Sequence, residues 1–241
     1  VLKRILGFTQ IFVLFLFLTP FFVNLQAASN VGLGEIGYVE EYEIADGVTF
    51  ERIMAYNNMG EQKAHLIEFH HSTLTPMVTY GNGVYGGTTL SNYINIAESG
   101  GAKVIAALNG DFYDTSNGVP LGMMIINGKL VTSGNGRHAV GIKADGSVIG
   151  GQVNIGLVFN NGSTNSTINH LNKDRKTNTS NVYMYTDDFG ASTQTTVPGT
   201  EVVLNITSGN HLTIGGTITA QVEEVRTNAT NTSIPYGRVV L

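Results

Sequence analysis

The chain has 241 residues, 42% hydrophobic and 13% charged, which is typical of a folded globular protein rather than a disordered or fibrous one. Its formal net charge of -5 argues against a nucleic-acid partner, because phosphate binding requires a basic surface. The sequence contains no cysteine, which excludes a disulfide framework and a thiolate zinc site. One globular domain stabilised by packing is therefore expected.

The N-terminal segment has the features of a secretory signal. Two basic residues precede a nearly continuous apolar stretch over 5–23, and Ala27 and Ala28 provide small residues for cleavage by a peptidase. The apolar stretch is also long enough for an uncleaved membrane anchor. We predict a signal peptide over 1–28 and a domain over 29–241. The protein is then secreted or held at the cell surface, and contacts the membrane only through the signal segment.

Short runs of β-branched and aromatic residues mixed with polar ones follow the signal segment and predict antiparallel strands. These runs are 37–43, 48–56 and 64–71.

The next segment predicts the one clear helix. Over 88–99 the apolar residues recur at helical spacing, Thr89 is placed to cap the helix, and Gly100 follows its end. The continuous apolar run at 103–108 then predicts a buried central strand. A helix followed by such a strand indicates an α/β core.

The remainder of the chain predicts hairpins and further strands. The pairs Asn127-Gly128 and Asp145-Gly146 each lie between apolar runs, which is a strong two-residue hairpin signal. The stretch 160–181, rich in Asn, Ser and Thr, predicts a long loop or a pair of weak strands. Later strands are predicted at 182–186, 201–207 and 217–225. The expected fold class is α+β, a β-rich mixed sheet with antiparallel hairpins and one or few helices.

The polar centre of the chain is the run 109–114. If the strand at 103–108 continues through Asp111, then Asn109, Asp111 and Tyr113 share one face at a strand end, where open α/β sheets bind ligands. Asn109 and its neighbouring glycine could instead form a hairpin turn, with Asp111 as a local cap. Residue types alone leave both interpretations open.

The chemistry of these side chains suits a sugar or phosphate ligand. Asp111 could act as a general acid or base, or as a nucleophile toward an anomeric carbon. Asn109 could bind a sugar hydroxyl or a phosphate, and Arg137 could bind an anionic oxygen through two hydrogen bonds.

Metal binding has little support in the sequence. The histidines at 65, 70 and 71 lack a carboxylate at ligand spacing, so no zinc site is predicted. An oxygen-rich loop before Gly118 could hold Ca²⁺, although it lacks the closing glutamate of an EF-hand. Its oxygen ligands would come from Asp111, Asp114, Ser116 and Asn117. We predict no cofactor, with Ca²⁺ as the alternative.

Several elements between residues 106 and 151 occur in an order that resembles the phosphodiester glycosidase domain. They are 109–113, 120–122, 126–130, 136–142 and 145–146. This family includes the lysosomal enzyme that removes N-acetylglucosamine from a mannose-6-phosphate diester, and many bacterial exported proteins of exopolysaccharide metabolism. The resemblance extends over 40–241.

The resemblance implies an exported hydrolase that cleaves the bond between a sugar's anomeric carbon and a phosphate in a surface or extracellular glycan. An oxocarbenium-like centre needs a carboxylate, and a phosphate leaving group needs cationic or amide donors. The catalytic residues carried over are Asp111, Asn109 and Arg137. The substrate-binding residues carried over are Tyr113, Gly110, Gly122 and His138.

The chain departs from the family pattern after residues 234–241. Family members continue into an Arg-Thr-Ala-like element and a Leu-Asp-Gly-Gly-Gly-Ser-like loop that carry further active-site groups. We therefore expect this chain to contain only the front portion of the domain, with the edge of its last strand unpaired. Catalysis by this chain alone is then in question.

The alternative function is a cell-wall or exopolysaccharide-binding β domain without turnover. Such a domain would stack aromatic rings on sugars. The candidate rings are Tyr38, Tyr80, Tyr85, Phe112 and Tyr113.

Overall fold

A computed structural model of the protein describes residues 32–209 and 212–241. The described chain forms two compact units, divided between Leu74 and Thr75. The predicted signal peptide at 1–28 lies outside the described residues. Among the described residues, no helix combines the length and hydrophobicity needed to cross a membrane.

The first unit is an antiparallel meander in which the second strand is central. Its strands are β1 (Glu35–Ala45), β2 (Val48–Asn57) and β3 (Gly60–Phe69). Alternate residues of β2, among them Ile53 and Ala55, are buried, as expected when one sheet face is covered. The three predicted strands are confirmed, and the third ends two residues before the predicted end.

The second unit contains the one α-helix of the described residues, α1 (Leu90–Ser99). The Thr89 hydroxyl accepts a hydrogen bond from the Asn92 backbone N–H at 3.3 Å, and Gly100 caps the C-terminus. The predicted helix and its N-cap are therefore confirmed.

The strands of the second unit form a five-stranded sheet and three hairpins. The hairpins are β4 (Met124–Ile126) with β5 (Lys129–Thr132), β6 (His138–Ile142) with β7 (Val148–Gln152), and β8 (Leu157–Asn160) with β9 (Asn165–Ile168). The sheet contains β10 (His170–Leu171), β11 (Tyr183–Thr186), β12 (Gly199–Ser208), β13 (Thr219–Ala229) and β14 (Arg238–Val240). Its strand order is β10-β11-β14-β12-β13, and its one parallel pair, β10 with β11, makes it mixed. A β-rich α+β fold with antiparallel hairpins is thus observed, as predicted.

Both predicted hairpins form, with different turns. Asn127 and Gly128 have φ values of 50° and 78°, which a two-residue type I′ turn requires. Between β6 and β7, the Gly146 N–H donates to the Lys143 carbonyl, and Gly146 has a φ of 81°. That pattern is a three-residue loop with a glycine bulge, so the second turn is one residue longer than predicted.

The predicted buried strand at 103–108 is wrong. Leu108 is 74% exposed, and none of the described strands pairs with this segment. A buried strand needs hydrogen-bonded neighbours for its backbone, and an apolar run does not by itself supply them. The inferred α/β core is therefore absent from the described residues.

The predicted unpaired edge at the last strand is also wrong. β14 lies inside the sheet, with β11 on one side and β12 on the other. Val239 and Val240 are both buried there. The short apolar strand inserts between two others, so its backbone groups are paired on both sides.

The core of the second unit has two apolar clusters. One cluster contains Tyr185 of β11 and Val240 of β14, and the other contains their neighbours Met184 and Val239. Because side chains alternate across a strand, the clusters lie on opposite faces of the sheet. This buried sheet holds the segment after β10, which carries part of the candidate site.

Candidate functional site

Asp111 lies at the open end of a small hairpin. The Leu121 N–H donates to the Phe112 carbonyl at 2.8 Å, and Tyr113 and Pro120 form an antiparallel bridge. We refer to residues 111–122 as the Asp111 hairpin. Its two ends, Asp111 and Gly122, are brought together by this pairing.

Gly122 holds the Asp111 carboxylate. Its backbone N–H donates to Asp111 Oδ2 at 2.7 Å. A Cβ atom at Gly122 would lie 2.6 Å from the same oxygen, which is too close for any side chain without rearrangement. The glycine predicted to bind substrate therefore positions the predicted catalytic carboxylate.

Lys173 brings a positive charge to the same end of the hairpin. Its ammonium donates to the carbonyl oxygens of Pro120 and Gly122, at 2.5 and 2.7 Å. An ammonium has three N–H donors, so one is not engaged by these carbonyls. Burial lowers the pKa of Lys173 to about 8, while the nearby Asp111 charge opposes that shift. The Asp111 carboxylate and the Lys173 amine are thus electrostatically coupled.

Asn172 fixes the backbone next to this lysine. Its side-chain amide donates to the Val131 carbonyl at 2.7 Å and to Thr186 Oγ1 at 2.8 Å. Its side-chain oxygen accepts from the Thr186 N–H at 2.9 Å. Asn172 is fully buried and has a φ of 51°, a left-handed conformation that asparagine tolerates better than most residues. The sheet therefore determines the position of Lys173.

Two more contacts fasten the hairpin to the same segment. Asp174 Oδ2 accepts from the Asn117 side-chain amide at 2.5 Å, and the Lys176 ammonium is paired with the Asp114 carboxylate. Hydrogen bonds from Lys176 and then from Ser116 hold the pKa of Asp114 well below its usual range. We refer to residues 172–176 as the basic segment.

These contacts bear on the calcium alternative. The Asp114 carboxylate, which a calcium ion would need as a ligand, is bound to the ammonium of Lys176. The Asn117 side-chain oxygen accepts from the Val119 N–H at 3.0 Å. Within 32–209 and 212–241, no group of three or more His, Asp or Glu side chains is arranged to hold a metal ion.

The remaining predicted residues are not brought to Asp111 by any described contact. Arg137 lies just before β6 and His138 begins it; both are exposed, and no hydrogen bond or ion pair of the described residues joins them to the Asp111 hairpin. Asn109 is exposed, and a Cβ atom at Gly110 would meet only open space. Tyr113 lies in the hairpin itself, 52% exposed.

Sequence reasoning did not identify Lys173, Asn172 or the rest of the basic segment. The available signal was compositional, because four consecutive charged residues at 173–176 interrupt a stretch rich in Asn, Ser and Thr. Nothing in the local pattern indicates that this segment packs against a hairpin more than fifty residues earlier.

Comparison with known proteins gives a fold relationship. No protein-family model matches the chain, and no curated protein matches it. A crystal structure of a hypothetical protein from Synechocystis is similar, with a TM-score of 0.59 and 19% sequence identity. The match covers 84% of this chain and 36% of that protein, so the chain spans about a third of its length. At this level of identity the similarity concerns the fold alone.

Proposed function

We propose that the protein is an exported hydrolase that cleaves a sugar-1-phosphodiester, the bond between an anomeric carbon and a phosphate in a surface or extracellular glycan. The observation that supports this proposal best is the placement of the Asp111 carboxylate. It is held by the Gly122 N–H at 2.7 Å, and its charge acts on the pKa of Lys173.

The reaction needs a carboxylate at the sugar carbon. Cleavage of the bond between that carbon and the phosphate oxygen builds positive charge on the ring, which an ionised carboxylate stabilises. Asp111 would act there as a general base toward water or as a nucleophile that forms a glycosyl ester. In both cases water adds to the sugar, and the phosphate monoester leaves with the bonding electron pair.

The leaving phosphate needs a cation. Lys173 has one N–H beyond the two donated to Pro120 and Gly122, and this N–H would bind a phosphate oxygen. The exposed guanidinium of Arg137 would add a second cation if substrate binding brings it to the phosphate. Because phosphate is a good leaving group, a strong general acid is less important than in ordinary glycoside hydrolysis.

A hydrolysis assay on a panel of sugar-1-phosphodiesters tests this function. The protein should release free sugar from at least one member, and Asp111→Asn should lose that activity while remaining folded. Asp187→Asn is a matched control, because Asp187 is an exposed aspartate of the same unit outside the Asp111 hairpin and the basic segment. Absence of turnover on every donor, or equal turnover by Asp111→Asn and the wild type, would contradict the proposal.

A further inference from the structure

A wide groove lies between α1 and the loop at 80–86, in the second unit. Its volume is about 810 Å³, enough for several sugar rings. Three tyrosines line it, and the other side chains of its wall are mainly amides and hydroxyls. None of its lining residues carries a charge.

Two of the tyrosine rings are fixed by the fold. The Tyr80 hydroxyl donates to Asp188 Oδ1 at 2.5 Å, and the Tyr85 ring packs edge-on against Phe189 with ring centroids 5.4 Å apart. Phe189 is fully buried in the core. Both tyrosines line the groove and pack against the core, so their rings have little conformational freedom left to lose when a ligand binds.

The third ring comes from the helix. Tyr93 lies against Gly81, where a Cβ atom would be 3.1 Å from the ring. Further along α1, Asn95 and Ser99 also line the groove. The Asn95 side-chain amide has no hydrogen-bond partner within the described part of the chain, so it can bind a ligand at the groove surface.

The loop that closes the groove also contacts the Asp111 hairpin. The Gly86 N–H donates to the Asn117 carbonyl at 2.6 Å. A Cβ atom at Gly87 would lie 3.2 Å from the Gly118 Cα, so the two loops pack backbone against backbone. The groove is therefore joined to the tip of the hairpin that carries the candidate carboxylate.

We propose that this groove binds an uncharged saccharide segment of a glycan. Aromatic rings stack on the apolar faces of sugars, while amides and hydroxyls bind sugar hydroxyls, and a wall without charge suits a neutral sugar rather than a phosphate or uronate. We also infer that this saccharide segment belongs to the sugar-1-phosphodiester substrate, and only that part of the inference rests on the proposed function.

Titration of the intact protein with uncharged oligosaccharides of glucose, N-acetylglucosamine and mannose tests the groove. Calorimetry should show saturable binding of at least one of them, and Tyr93→Ala should weaken it about three- to tenfold through loss of one stacked ring. Tyr236→Ala, which removes an 88% exposed ring outside the groove lining, should leave the affinity unchanged. Binding of none of the sugars, or equal affinity in both variants, would overturn the proposal.

A second pair of variants keeps the test valid if Tyr93→Ala does not fold. Asn95→Ala removes an exposed amide of the groove, and Ser91→Ala changes an exposed residue of the same helix outside the lining. Only Asn95→Ala should weaken binding.

The outcomes distinguish the two proposals. Saccharide binding without any phosphodiester cleavage would support the groove and contradict the hydrolase. Cleavage with unchanged saccharide affinity in Tyr93→Ala and Asn95→Ala would contradict the groove alone.

Discussion

Asp111 and Arg137 are both predicted catalytic residues, yet the fold holds them very differently. The Asp111 carboxylate is hydrogen-bonded by Gly122, lies near Lys173, and belongs to a hairpin fastened to the basic segment. Arg137 is exposed and lies just before β6. The Asp111 hairpin has a fixed geometry before any substrate arrives, which is what electrostatic catalysis requires. A role for Arg137 would depend on substrate bringing it to the site.

The largest effect on stability is expected where the basic segment is anchored. Asn172→Ala should lower the free energy of unfolding by about 3 to 5 kcal/mol, because the buried Val131 carbonyl and the N–H and hydroxyl of Thr186 each lose a partner. Urea denaturation measures this change. Asn82→Ala is the control, since Asn82 is exposed and has no side-chain hydrogen bond within the described residues. An equal effect of the two substitutions would contradict the anchoring role.

The next largest effect is a dependence of stability on pH, which has opposite signs at Lys173 and Lys176. Between pH 8 and 10.5 the folded protein loses the Lys173 proton that the unfolded chain keeps, so stability should rise with pH. Relative to Lys173→Met, the wild type should gain about 1 to 3 kcal/mol across that window. At Lys176 the hydrogen bond to Asp114 raises the pKa, so its contribution should instead be lost as pH rises above 10.5.

Denaturation curves of wild type, Lys173→Met and Lys176→Met at several pH values separate these contributions. NMR of the Lys173 side chain measures its pKa directly. Asp111→Asn removes the charge that supports the ammonium and should lower the pKa of Lys173 further. An unchanged pKa in that variant would show that the two groups are not coupled.

A smaller effect is expected at the glycine that holds the carboxylate. Gly122→Ala should destabilise the protein by about 1 to 3 kcal/mol, because the new Cβ atom would lie 2.6 Å from Asp111 Oδ2. Gly110→Ala should stay within about 0.5 kcal/mol, since open space surrounds that position. Thermal unfolding of both variants measures the difference, and equal midpoints would contradict the close contact.

The smallest effect is expected at Arg137. Arg137→Ala should change the free energy of unfolding by less than about 0.5 kcal/mol, because the side chain is exposed. If Arg137 binds the substrate phosphate, the same variant should raise the KM for a sugar-1-phosphodiester. A large loss of stability would show that the exposed Arg137 side chain supports the fold, and an unchanged KM would exclude Arg137 from the site.

Local sequence signals predicted the local parts of this fold. The cap at Thr89 and the turn at Asn127-Gly128 follow from the chemistry of a few neighbouring residues, and both are observed. The apolar run at 103–108 failed as a predictor, because a strand depends on partners that the run itself does not specify. The inserted position of β14 likewise depends on β11 and β12, which are distant in sequence.

The candidate site divides in the same way. Asp111 was a candidate from its residue type, with a local cap as the alternative, and Gly122 came only from the family resemblance; the hairpin brings them together. Lys173 reaches that hairpin only because Asn172 is bound to Val131 and Thr186 in the sheet. Contacts of this kind are set by tertiary packing, so the sequence pattern around Lys173 carries little information about them.

The oxygen isotope content of the products shows which bond the protein cleaves. Hydrolysis of a sugar-1-phosphodiester in water enriched in the heavy oxygen isotope labels the product that water attacks, and mass spectrometry of the phosphate monoester detects the label. Attack at the anomeric carbon near Asp111 predicts an unlabelled phosphate and labelled sugar. Label in the phosphate would show attack at phosphorus and would contradict the assignment of this protein as a glycosidase.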